Sequence, residues 1–381
     1  MVVTSLLVKY MDPRRYRAVV VGEAEDDVLQ YQFGKIATYY RIRRAYGYHE
    51  RLRLRQAFGP RPIWTRRLLR GVLHRMRLLT NLPYHLRLAA VVLRERVDLI
   101  HHSNGLVRPF LALFGRPMVG TLQGLRERRL SLLQRLALKR FRLFIMISQV
   151  VHERYLAIGG RPEIAVLIPN PCDPTEIPEG LRTRARAELG VSRGAKLFGI
   201  VGRVVPWKGQ REFLTAADKV LADNTNAVAV IVGDAADGAD DYFDELRGMA
   251  AASPFADRII FTGYVEDMKR IYAALDVAVH ASIRPEPFGL VITEALGHGI
   301  PIVAAASGGP AEVVEHGVDG FLVDPTNAPA MAAAVSTLLS DDLLRGQMGQ
   351  RGKEKAFSST YHAKPYAGRV QDLYDTIFEG C

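Results

Sequence analysis

The sequence predicts an α/β protein built from two doubly wound domains that face each other across a cleft. Three observations carry this. The chain has 381 residues, and roughly 150–200 residues is an ordinary size for a single domain. Short apolar runs alternate with amphipathic stretches from end to end, which is the pattern of repeated βαβ units with crossover helices. A stretch with four prolines and no strand pattern, PNPCDPTEIPEGLRTRARAELG (169–190), divides the runs into two series and reads as a linker.

In the first series, YRAVVVG (16–22), VDLIHHS (97–103), PMVGTLQ (117–123), LFIMIS (143–148) and IAVLIPN (164–170) read as buried parallel strands. They are apolar without the polar alternation of a half-exposed strand. The second series repeats the pattern in KLFGIVGRV (196–204), AVAVIVGD (227–234), RIIFTGYV (258–265), VAVHAS (277–282) and PIVAAAS (301–307). Helices are expected over 126–141, 211–222, 243–252, 266–275 and 310–316. The segment 361–378 reads as a final helix interrupted by Pro365, since proline lacks the helical donor. The resulting division is residues 1–175, residues 176–360, and a C-terminal helix in 361–381 that returns toward the first domain.

Composition narrows the class. Apolar residues make up 48% and charged residues 24%, as in a soluble globular protein. No apolar run reaches the ~20 residues of a membrane span. MVVTSLLVKY has neither a basic leader nor a cleavage pattern, so it is not read as a signal peptide. The two cysteines, Cys172 and Cys381, suit a reducing, cytoplasmic setting rather than a disulfide framework. Charge is uneven: residues 1–175 carry 31 Lys and Arg against 12 Asp and Glu, and the remainder 20 against 28. The densest basic stretch, residues 41–77, has 12 arginines and one glutamate with aromatic and aliphatic residues interleaved. It suits either a solvated helical face or the inner, anionic surface of a membrane. Nucleic acid is disfavoured, because no nucleic-acid motif accompanies the charge.

Two stretches carry chemistry. In GRVVPWKGQREF (202–213), a strand ends, Gly202 turns the chain, and Arg203 and Lys208 flank a loop that opens onto a helix start. Two cations beside helix amides make a diphosphate site, although the same pattern also serves as ordinary surface charge. In RPEPFGLVITEALGHG (284–299), Glu286 lies in the loop beyond a strand and Glu294 inside the following helix. Gly289 admits a close backbone approach, and the amides of Phe288, Gly289 and Leu290 sit where the helix dipole favours an anion. Alone, the two glutamates read equally well as a catalytic pair, a ligand clamp, or a loop carboxylate beside a helix carboxylate. Eight helical residues rise about 12 Å, whereas glycosidase carboxylates stand roughly 5–9.5 Å apart. The clamp therefore fits more easily.

The ordered string GRVVPWKG, VGD (232–234), FTGYVEDMKRIYAALDVAVHAS, EPFGLVITEALGHGIPIVAAASGGPAEVVEHGVDGFLVDP and FS (357–358) resembles the retaining glycosyltransferases of family 4, with the GT-B fold. The resemblance is dense from about 164 to 358 and looser before. It implies a sugar transferred from a nucleotide-sugar donor, UDP- or GDP-linked, with retention of configuration and without a metal or other cofactor. It implies that Arg203 and Lys208 hold the donor diphosphate, that Glu286 contacts the transferred sugar and Glu294 the ribose. The amides of Phe288, Gly289 and Leu290 would face sugar and phosphate, and Tyr264 and Val265 the nucleobase. The acceptor would be a glycan or a lipid-linked glycan of cell-surface polysaccharide or lipopolysaccharide type, met at the inner membrane face.

Two departures from the family are visible. VVTSLLVKYMDPRRYRAVVVG (2–22) resembles the family's first helix followed by its second strand, so an initial strand and its glycine turn are expected to be missing. The strand VGTLQ carries Thr121 and Gln123 where many members have a histidine. His101, His102, Asn104 and Arg126 remain as acceptor-side candidates, with structural packing as the competing role for the histidines. Alternatives to a transferase are a nucleotide-sugar epimerase, a glycosidase, or a non-catalytic homologue that binds glycan or membrane.

Overall fold

A computed structural model describes residues 2–22, 37–41, 82–103, 114–125, 129–130, 132–236 and 238–379. The chain folds into two parallel-sheet α/β domains. The first begins with helix α1 (Val2–Tyr10), strand β1 (Val19–Gly22) and strand β2 (Thr38–Arg41). After α2 (Leu82–Arg94) come β3 (Ile100–Ser103), β4 (Met118–Leu122), α3 (Leu132–Leu138), β5 (Phe141–Met146), α4 (Gln149–Ala157) and β6 (Ala165–Leu167). Strands β3 to β6 form one parallel sheet in chain order, while β1 and β2 pair in parallel as a separate two-stranded sheet. A cavity of about 990 Å³ lies between the two sheets, lined from one side by Val19–Val21 and from the other by Leu99, His101 and Ser103.

Alternation along the strands sorts residues to the two faces of the four-stranded sheet. Met118, Leu122, Phe144 and Met146 pack with α2, α3 and α4. Val119 and Ile145 pack with α1 and the last helix. A Cβ at Gly120 would stand 2.5 Å from the Phe144 ring, so the absent side chain is what lets that aromatic lie flat on β4.

The second domain contains α5 (Leu181–Glu188), β7 (Lys196–Val201), α6 (Gln210–Asp223), β8 (Ala227–Val232), α7 (Asp240–Ala252), β9 (Ile259–Gly263), α8 (Met268–Ala274) and β10 (Val277–His280). It continues through α9 (Leu290–Gly297), β11 (Ile302–Ala305), α10 (Pro310–Val313), β12 (Gly320–Val323), α11 (Ala328–Ser340) and α12 (Asp342–Ala356). The six strands run parallel in the order β9-β8-β7-β10-β11-β12. This is a doubly wound sheet whose strand order reverses between β7 and β10, where ligands bind beyond the carboxyl ends of the strands.

Several expectations are corrected. The linker stretch 169–190 contains no strand, as expected, but its second half is not loop: it forms helix α5. Buried Asp276 accepts Arg182 at 2.7 Å, Arg186 at 2.5 Å and the Leu197 amide at 2.7 Å, and so ties α5 to the sheet. The helix expected over 126–141 is shorter, because β5 begins at Phe141. The tail is not broken at Pro365: α13 runs unbroken over Ala363–Glu379. Pro365 is its third residue, in the first turn, where the missing N–H has no helical partner to lose.

Helix α13 packs on α1, burying Tyr366, Val370 and Tyr374 against Val3 and Leu7. The chain therefore crosses between domains twice. The two crossings are hydrogen-bonded to each other, Cys172 N to Tyr361 O at 2.8 Å and Ala363 N to Cys172 O at 2.9 Å.

Candidate functional site

The reversal point of the six-stranded sheet brings two loops together. The β7 exit carries Gly202 and Arg203 into a short turn, Pro206–Lys208, closed by Gly209. Gly209 has φ +78°, and a Cβ there would meet the Ala281 carbonyl at 1.9 Å. Only glycine lets this loop lie against the end of β10. The β10 exit carries His280, Ser282 and Glu286, followed by Gly289 (φ +88°), which starts α9 with no side-chain cap. The first amides of that helix are left for a ligand.

Glu286 is the hub. Its Oε1 receives Lys208 Nζ at 2.5 Å, and its Oε2 lies 2.5 Å from His280 Nε2 and accepts Ser282 Oγ at 2.7 Å. Burial alone would raise the carboxyl's pKa. The hydrogen bond and charge of His280, with the Lys208 ammonium, outweigh it and hold Glu286 well below the usual carboxylate range. Glu286 is thus a fixed anion whose position is set from three sides.

A cavity of about 1000 Å³ opens over this cluster. Gly202, Arg203, Lys208, Glu286, Phe288, Gly289 and Leu290 line it from the second domain. Phe288 turns its ring into the core, 3% exposed, so its backbone rather than its side chain faces the cavity. From the first domain come Gln123, Val150, Glu153, Arg154 and Asn170. Gln123 and Asn170 exchange two amide hydrogen bonds, at 3.1 and 2.9 Å, within the first-domain wall. The two domains touch directly. Ser148 Oγ donates to Pro287 O at 2.6 Å, and the Glu312 carboxylate accepts the Gln149 and Val150 amides at the start of α4, at 2.6 and 2.8 Å.

Not every expected residue joins this group. Glu294 does not line the cavity: it lies on α9 with its carboxylate buried, accepting Tyr272 Oη at 2.7 Å. Burial raises its pKa, and the Tyr272 hydrogen bond offsets that only in part. An ionised Glu294 therefore costs the folded state stability once pH rises above the ordinary glutamate value. Tyr264 and Val265 stand after β9, away from this cavity; Tyr264 is 72% exposed and Val265 packs on the core.

On the acceptor side the structure gives His101 a packing role. Its Nδ1 meets Tyr374 Oη at 2.5 Å and its Nε2 meets Thr121 Oγ1 at 2.7 Å, both inside the fold. Burial pushes its pKa down to about 4, so it is a neutral histidine that seats α13 on β4. His102, next along β3, is half-buried and lines neither of these two cavities. Asn104, Arg126 and the basic segment beyond Arg41 lie outside the described residues.

Sequence reasoning missed His280 and Ser282. The available signal was VAVHAS, polar side chains at the carboxyl end of an otherwise apolar strand. It also passed over Trp207 and Arg284, which complete the cavity rim.

Comparison with known proteins agrees with the geometry. Residues 2–176 match the model of Glycosyltransferase Family 4 and residues 182–355 that of Glycosyl transferases group 1. An uncharacterised glycosyltransferase of Methanocaldococcus jannaschii is 32% identical over 242 residues, 62% of this chain and 60% of its own. D-inositol 3-phosphate glycosyltransferase of Corynebacterium glutamicum is 33% identical over 195 residues, 50% of this chain and 46% of its own. The chain spans about half to three-fifths of these relatives' length. Anabaena HepE, crystallised with UDP and glucose, superposes with a TM-score of 0.76 at 25% identity, covering 98% of this chain and 95% of that one. A Rickettsia africae glycosyltransferase shares the fold, with a TM-score of 0.80 at 16% identity, covering 100% and 95%. With both halves matched in order, the chain belongs to the family 4, group 1 glycosyltransferases of GT-B fold.

Proposed function

We propose that the protein transfers a sugar from a nucleotide-sugar donor to a hydroxyl of a glycan or lipid-linked acceptor, with retention of configuration. The observation that carries this is the Lys208–Glu286–His280 cluster beneath the uncapped start of α9, at the strand-order reversal. The donor diphosphate lies against Arg203, Lys208 and the amides of Phe288–Leu290. Its negative charge competes with Glu286 for Lys208, which frees one carboxylate oxygen for a sugar hydroxyl. The bond from the anomeric carbon to the phosphate oxygen breaks, and a bond to the acceptor oxygen forms on the same face. The acceptor proton passes to the departing diphosphate, giving glycoside and nucleoside diphosphate. HepE's bound UDP and glucose support a UDP-sugar as donor. The acceptor enters from the first-domain wall, past Gln123 and Glu153. The setting that fits is the inner face of the cytoplasmic membrane, with residues 41–77 against its anionic surface and the product in cell-surface polysaccharide or lipopolysaccharide.

A thermal-shift panel of UDP- and GDP-sugars tests this. A ligand at a hundred times its Kd stabilises by about 2.7 kcal/mol, so one donor class should raise the unfolding temperature clearly. No shift with any donor would sink the reading. Turnover of donor without acceptor would indicate an epimerase or hydrolase instead.

Glu294 has a separate signature. For it to reach the ribose hydroxyls it must exchange Tyr272 for the ligand. Glu294→Gln should raise the unfolding temperature of the free protein, because a buried carboxylate becomes neutral. It should also weaken donor binding roughly ten- to a hundredfold, because hydrogen bonds to a charged acceptor are lost. Calorimetry with and without donor reads both signs. Unchanged donor affinity would remove Glu294 from the site.

A further inference from the structure

The first domain carries a surface that the cleft chemistry does not use. Helices α2, α3 and α4 pack their buried sides on one face of the four-stranded sheet, through Leu88, Val91, Ala137, Leu138 and Tyr155. Their outer sides are not the polar surface expected of solvated helices. Leu86 and Leu93 on α2, Leu132 and Leu136 on α3, and Leu156 on α4 are all exposed, Leu132 to 74%. On α2 and α3 the charges have one sign, while α4 carries exposed Glu153 beside Arg154. Arg87 and Arg94 on α2, and Arg135, Lys139 and Arg140 on or just after α3, are exposed. Neither residues 82–94 nor 132–142 contain an acidic residue. Three nearby acids are engaged, Glu95 with Arg17, Glu163 with Arg161, and Glu153 with Gln149 on its own helix.

We propose that this helical layer is a docking face for an anionic lipid bilayer. Leucines one or two turns apart enter the interfacial region, and the arginines and lysine beside them meet lipid phosphates. The absence of carboxylates over two successive helices suits an anionic surface and removes the repulsion a protein partner's mixed charge would tolerate. Helix α4 links this face to the cleft, since Val150, Glu153 and Arg154 line the cavity while Leu156 is exposed. A molecule anchored in the bilayer is thereby brought to the acceptor side. The inference does not depend on sugar transfer.

Sedimentation with vesicles tests it, using the full chain and phosphatidylcholine with or without phosphatidylglycerol. The wild type should pellet with the mixed vesicles and not with phosphatidylcholine alone. Leu132→Gln with Leu136→Gln should weaken partition by about tenfold or more while leaving the unfolding temperature unchanged. Arg135→Gln, Lys139→Gln and Arg140→Gln together should remove the preference for phosphatidylglycerol. Loss of pelleting by wild type in both lipids overturns the proposal. So does wild-type binding by the leucine variant, which would assign membrane contact to another segment such as 41–77. Substitution of Leu86 and Leu93 by glutamine gives a second variant pair, on α2, held to the same outcomes.

Discussion

Glu286→Gln is expected to lower kcat/KM for sugar transfer roughly 10²- to 10³-fold, the range seen when one preorganised electrostatic contact is removed from a water-poor site. Glutamine keeps the shape of the side chain, so Ser282 and His280 still have an oxygen or nitrogen to meet. What disappears is the negative charge. Binding of the nucleoside diphosphate alone should change little, because the contacts proposed for it are Arg203, Lys208 and the amides of Phe288–Leu290, which line the cavity. The loss should therefore fall on kcat rather than on UDP affinity, measured by initial rates and calorimetry. Near-normal turnover would refute the role. The free protein should also lose some stability. Glu286 is more acidic folded than unfolded, so its ion pairs stabilise fully above the ordinary glutamate pKa and fade only as pH falls toward its depressed value. The gap between wild type and variant should thus persist at neutral pH and close only in strong acid.

Asp276→Asn is expected to destabilise the second domain by about 3–5 kcal/mol, the usual cost of leaving a buried charge without its partner. Arg186 is the charge in question, with a side chain only 6% exposed. It also donates to the carbonyls of Ala274 and Ala195, and these cannot replace a counterion. Asparagine can still accept the Leu197 amide, so the backbone pairing of β7 survives and the effect isolates the ion pair. Urea unfolding followed by far-UV circular dichroism reads the shift. Arg182→Ala serves as the internal control: its side chain is 48% exposed, and its removal should cost under about 1 kcal/mol. Equal effects from the two substitutions would show that burial of Arg186 is not the cause.

The fold was largely legible in the sequence because buried parallel strands are continuous apolar runs, and ten such runs each correspond to a strand. Two strands were missed for physical reasons. Thr38–Arg41 is short and polar, and Gly320–Val323 opens on glycine at the sheet edge. Helix α2 was passed over because its outer face is leucine and arginine, so its apolar periodicity is blurred. Within the site, Lys208 and Glu286 are 78 residues apart yet in contact, as expected of loops leaving neighbouring strands β7 and β10. The direction of Glu294 was not legible. Its place on α9 follows from spacing, but its turn toward Tyr272 depends on α8, which packs there through tertiary contacts alone. The role of His101 was hidden in the same way, since Tyr374 reaches it from the far end of the chain.

The paired crossings at Cys172 and Tyr361–Ala363 act as a flexure rather than a tether. A single strand between domains lets them bend, twist and slide. Two strands bonded side by side leave bending as the soft motion and stiffen the other two. Sliding and twisting of Lys208 and Glu286 on one side of the cleft past Gln123 on the other are thereby resisted. Alignment of the two cleft walls is then a property of the backbone joint, set apart from any ligand.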